Sequence, residues 1–463
     1  MRYSARKMLA LTAVVSMTAA ACGSDSNDAD PVTTDAVAEA PVTEAPADEA
    51  MEEEAEAPAE EEAMEEEAME EGMEEEGMEE EGTEEEAPAE AAAFAVDDGA
   101  SSLRATLTSL LQEHVYLAGV AFETALDAGG DLEEPATAAA VAALDENTVA
   151  LADAVGSIAG EENGEAFLGL WREHIGFFVD YTLGEATGNA DMKAQALTDL
   201  EGYQQAAGAF FEEITGGAIQ ADVLVGGLEE HVATLTTAID ALVAGETDAF
   251  DKLQAAAQHM SGAANLLATG IVEALPDTFP GATDSQPAEV RSTLTFQLQE
   301  HVYLAGIAIE QALEAGGDLE APAVQAAVAT LDGNTVRLSE TVASVAGEEN
   351  GEAFKGLWRE HIGFFVDYTL GVATGDDEMV AQALTDLEGY QQAAGAFFEE
   401  ITGGEITPDA LIPGLEEHVA TLTAAIDSLA AGDTAAFTQL RAAGQHMPMA
   451  ALLLSTGIVA AIS

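Results

Sequence analysis

From about residue 101 to the C-terminus, apolar side chains recur at spacings of three and four, and no stretch shows the period of two expected of a half-buried strand. One stripe runs Leu103, Leu107, Leu110, His114, Leu117, Ala121, Ala125. Another runs Phe167, Leu170, Trp171, His174, Phe177, Phe178, Tyr181, and a third Leu224, Leu228, His231, Leu235, Ala238, Leu242. Gly and Pro interrupt the periodicity at Gly129-Gly130, Gly160, Gly188, Gly216-Gly217 and Gly245, which predicts helices over approximately 102–128, 134–159, 162–187, 190–215, 221–244 and 247–275. Long helices joined by such short connections favour antiparallel neighbours. The fold class is therefore all-α, built as up-down bundles of about six helices.

The pattern occurs twice. A constant offset of 187 residues relates His114 to His301, His174 to His361, His231 to His418 and His259 to His446. Between Glu161 and Gly217 only six of 57 positions differ from the second copy, as after a recent duplication. In the last helix the copies have diverged around a shared Gln-His-Met. The layout is a first bundle over 99–277, a linker over 278–287 rich in Pro and Gly and expected to be a flexible joint, and a second bundle over 288–463.

Histidine is the residue that changes the picture from packing to chemistry. His114, His174 and His231 lie on core stripes, while Met260 fits the sixth stripe better than His259. All four fall near the middle of their helices, so they share one layer together with Asn147 and Tyr203. A buried imidazole needs a partner. A bound metal, a bound ligand or mutual hydrogen bonding would each supply one. The candidate ligands are His114, His174, His231 and His259 in the first copy and His301, His361, His418 and His446 in the second. Glu113, Glu173 and Glu230, with Glu300, Glu360 and Glu417, each precede a histidine by one residue and so face a neighbouring helix, where a carboxylate can orient an imidazole from next door. Nitrogen-rich ligation suits copper, zinc or another transition metal, with Met260 and Met447 favouring copper. The spacing is wrong for a Glu-x-x-His di-iron site, and there is no haem or nucleotide motif.

Charge and cysteine bound the partners. With 88 acidic against 12 basic residues the formal charge is -76, which excludes a nucleic-acid partner. The sole cysteine, Cys22, ends an N-terminal segment with Arg2, Arg6 and Lys7, an apolar run and Ala19-Ala20-Ala21. Residues 1–22 read as a bacterial lipoprotein signal peptide with Cys22 lipidated, although Ala19 stands where Leu is commoner. The partner implied is a membrane, and the location the extracytoplasmic face or surface of a bacterial cell. Past this segment no apolar run reads as a membrane span. Residues 23–98 hold 32 of the acids and no Lys or Arg, a composition that reads as a disordered tether.

The runs LQEHVYLAG, LDENTV and LDGNTV, WREHIGFFVDYT, LEEHV and QHM resemble a helical repeat of secreted bacterial proteins, some of which carry the label copper amine oxidase. The resemblance covers nearly all of 101–463 and implies a secreted, histidine-containing bundle. It does not extend to amine oxidase activity, whose enzymes are β-rich with a tyrosine-derived quinone. Three functions are open to this sequence: a surface lipoprotein that sequesters or senses a transition metal, an interaction or structural module with a polar histidine layer, and a redox enzyme using the same site.

Overall fold

The computed structural model describes residues 95–463; the signal segment, Cys22 and the acidic stretch through residue 94 lie outside the described residues. Twelve α-helices and no strand occur among the described residues. The first repeat comprises α1 (Gly99–Asp127), α2 (Pro135–Ala159), α3 (Glu161–Thr187), α4 (Ala190–Ile214), α5 (Ala221–Ala244) and α6 (Ala249–Ala274). The second comprises α7 (Gln286–Glu314), α8 (Pro322–Ala346), α9 (Glu348–Thr374), α10 (Asp377–Ile401), α11 (Pro408–Ala431) and α12 (Ala435–Ile462).

Local chemistry sets these limits. Asp98 caps α1 by accepting from the Ser101 amide at 2.7 Å, and Pro135 opens α2 behind Glu134, whose carboxylate accepts from the Ala136 amide at 2.8 Å. Gly188 and Gly245 end α3 and α5 in the left-handed conformation, which glycine adopts without strain. In each repeat every helix packs on the next and the sixth returns to the first, making a closed ring of six. Odd-numbered helices also touch one another across the ring, so a side chain pointing inward from α1, α3 or α5 meets the others at the centre.

The joint between repeats is not loose. Residues 95–463 belong to one compact unit, and one hydrophobic cluster spans both repeats, with a smaller second cluster around Phe365 and Ile426. Helices α1 and α7 pack on each other, and Tyr116 stacks on Tyr303 at 5.4 Å between ring centroids. Arg104 donates to the Thr283 carbonyl at 2.7 Å, Thr269 bonds Thr283 at 2.8 Å, and Asp98 lies against Gly281, so the segment expected to flex is pinned from several sides. Val96, expected to belong to the tether, is buried, and its carbonyl accepts from Arg291 at 2.7 Å.

Helix α12 also departs from expectation, being long and apolar enough to cross a membrane by length and composition. In this fold Phe437, Leu440, Arg441 and Met447 are buried, and the helix packs against α7 and α11.

Candidate metal centre

His114 on α1, His174 on α3 and His231 on α5 bring their ligand nitrogens within 4.8 Å of one another, all buried. Ring centroids stand 5.2 Å apart for His114–His174, 6.3 Å for His114–His231 and 6.5 Å for His174–His231. The second repeat reproduces the cluster with His301, His361 and His418, at 5.2, 6.3 and 6.3 Å. Alternate helices of an up-down ring run in the same direction. Mid-helix residues on α1, α3 and α5 therefore meet at one height, which is why the sequence stripes converge.

Packing fixes the rings. His174 stacks on Tyr203 of α4 at 4.6 Å, and the Trp171 indole meets His114 edge-on at 4.9 Å and His174 at 4.5 Å. Hydrogen bonding leaves them largely unsatisfied: both nitrogens of His114 and His301 and the Nδ1 atoms of His231 and His418 are buried without a partner. Nδ1 of His174 and His361 falls short of good hydrogen-bond geometry, although each ring feels the backbone of Trp171 or Trp358 one turn back. Burial pushes the imidazole pKa down to about 3 for His174 and His301 and to about 4 for His231 and His418. His114 and His361 are driven well below the ordinary value by the same desolvation and by the neighbouring histidines. Every member is thus neutral at physiological pH, the form that ligates metal.

Three neutral imidazoles fit a borderline divalent ion. Bond lengths of about 2.1 Å in tetrahedral geometry place nitrogens roughly 3.4 Å apart, so a bound ion would be reached by small movements of the rings from separations of at most 4.8 Å. Such a donor set leaves a fourth position open.

The fourth histidine of each expected set stands outside the cluster. His259 Nε2 lies 2.9 Å from the Gly227 carbonyl of α5 and its Nδ1 3.6 Å from Glu230; His446 repeats this with Gly414 at 2.9 Å and Glu417 at 3.5 Å. The expected carboxylate-to-imidazole contact across helices therefore exists, but on His259 and His446. Glu173 and Glu360 are exposed. Glu113 and Glu300 are fully buried at the contact between repeats: Arg441 Nε donates to Glu113 at 2.6 Å, while Arg337 and Asn334 donate to Glu300. Burial raises the Glu113 pKa against the opposing pull of Arg441. Asn147, expected in the histidine layer, donates instead to the Leu110 carbonyl at 3.0 Å.

An apolar cavity of about 240 Å³ in the first repeat reaches His174, His231, His259, Tyr203 and Met260. The corresponding cavity of the second repeat, about 200 Å³, stops at Trp358. The chain matches no protein-family model, no curated protein and no solved structure.

Proposed function

We propose that each repeat binds one transition-metal ion at its three-histidine centre, and that the chain is a lipid-anchored surface protein that sequesters or senses that metal. The observation that carries the metal reading is the convergence of buried, unpartnered imidazole nitrogens at two equivalent places. An orphaned buried polar atom costs about 1–3 kcal/mol, a cost that a bound ion removes. The acidic chain, at formal charge -76, would concentrate cations near the sites at low ionic strength. Lipidation of Cys22 is supported by the sequence around it, and membrane fractionation of the Cys22→Ala variant tests it: the variant should leave the membrane fraction, and unchanged retention there overturns the anchor.

A second reading has its own support. Tyr203 and Trp171 hold the imidazoles by ring contacts, which suits a histidine layer used only for packing. Elemental analysis of protein purified without a polyhistidine tag decides between the two. Two ions per chain are expected, and His174→Ala should leave one. A folded chain that binds none under saturating copper, zinc, nickel or iron would leave the packing layer as the function of these residues.

A further inference from the structure

The two centres share their ligands but not their surroundings. In the first repeat the cavity opens directly onto His174 and His231, with Tyr203 and Met260 beside them and aliphatic or aromatic groups such as Leu107 and Phe211 beyond. In the second repeat the matching cavity ends at Trp358, and the pocket that touches His301 holds about 60 Å³. Three positions lining the first cavity, Ala154, Ile158 and Gly262, are Thr341, Val345 and Met449 in the second copy; Met449 is exposed and Val345 is the smaller residue, so Thr341 is the one that adds bulk at the wall. Thr341 is tied to Gln297 by a hydrogen bond of 2.9 Å.

This difference matters at the open coordination position. His259 cannot fill it without giving up its contacts to Gly227 and Glu230. No Asp, Glu, Lys or Arg lines the first cavity, so a charged ligand would be desolvated there without compensation. Beyond the polar edge made by the histidines and Tyr203 the walls are aliphatic and aromatic, a surface that favours an apolar occupant over water. Resting on the metal-binding reading, we infer that the first centre, unlike the second, takes as its fourth ligand a neutral, mainly apolar small molecule with one lone-pair donor atom. The cavity has room for on the order of ten non-hydrogen atoms.

The test uses the full chain loaded with cobalt(II), whose visible ligand-field absorption reports the fourth ligand, titrated with 4-phenylimidazole. One equivalent per chain should bind and shift the spectrum of half the cobalt. Ala263→Phe fills the cavity from a wall position that is not itself a ligand; it should retain two cobalt ions and bind the probe weaker by about tenfold or more. Ala450→Phe, the same change in the second repeat, should leave the titration unaltered. Should Ala263→Phe fail to fold, the stoichiometry of the unaltered chain still decides. Two bound cobalt ions with no spectral response, a response from both centres, or equal probe binding without cobalt each overturn the inference while leaving metal binding intact. No cobalt bound at all removes both.

Discussion

An imidazole without a partner in a protein interior stays neutral, because its ion would lose hydration and gain nothing in return. The six triad histidines carry pKa values pushed far below 6.5, to about 3 for His174 and His301 and about 4 for His231 and His418. In the unfolded chain they titrate near 6.5, so below that pH the unfolded state binds protons that the native state refuses. Their contribution to stability is undiminished above 6.5 and is lost as pH falls toward the folded values, on the order of 1 kcal/mol per pH unit for each imidazole. Ordinary carboxylates titrate near 4, so most of that window belongs to the histidines; Glu113, which burial raises, is the exception. Metal-free protein should therefore lose helical circular dichroism in mild acid, and the double variant His114→Leu, His301→Leu should make the loss shallower by about a third. An acid profile unchanged by the double substitution would show that these rings titrate normally. The stripes revealed the three inward histidines because each recurs with its apolar neighbours at three and four. His259 was ambiguous for a physical reason: it sits one residue from the buried stripe position Met260 and faces α5 instead of the centre.

At the scale of helices, contact distance depends on where a side chain is missing. Helices α2 and α3 are joined by Gly160 alone and approach so closely that a Cβ on Gly164 would lie 2.9 Å from the Ala152 carbonyl oxygen and 2.9 Å from the Gly156 Cα. Both obstacles are backbone, so the helices would have to separate. Gly176, on the same helix, has open space where its Cβ would be. Gly164→Ala should destabilise by about 1–3 kcal/mol, and Gly176→Ala should be neutral or stabilising by up to about 1 kcal/mol. Urea midpoints of the two variants check this, and equal effects would refute the close approach. Gly and Pro made most helix limits legible within a residue or two, since the left-handed caps demand glycine. The helix-to-helix contact inside α1 was not legible. Its outward face carries Thr108, Gln112 and Glu113, polar residues that look solvated, yet all are buried because α7 covers them.

That covered face has the symmetry of a dimer. Arg104 donates to the Thr283 carbonyl, and its counterpart Arg291 donates to the carbonyl of Val96, the counterpart of Thr283; Arg104 also pairs with Glu289, and Arg291 with Ser102, at equivalent positions. Tyr116 donates to Glu300 at 3.2 Å, while Tyr303 falls short of hydrogen-bond geometry with Glu113 yet feels that carboxylate, which adds to burial in raising its pKa. Reciprocal contacts of this kind are those of a two-fold interface, here formed within one chain. The arginines break the symmetry. Arg441 serves Glu113 across the interface and Arg337 serves Glu300 from its own repeat, but the first repeat has Gln254 and Ala150 at those positions. Residues 278–463 alone therefore carry both cations needed to neutralise two copies of Glu300 in a homodimer, whereas residues 95–277 carry neither. A buried carboxylate stripped of its partner costs about 3–5 kcal/mol, and a first-repeat dimer would hold two of them. Sedimentation of the separate repeats should show the second as a compact dimer and the first as a monomer or a poorly folded chain, with Glu113→Gln restoring first-repeat dimers. Stable folded monomers of both repeats would mean that the contact between them contributes little, and that the tyrosine stack and buried carboxylates are incidental to the fold.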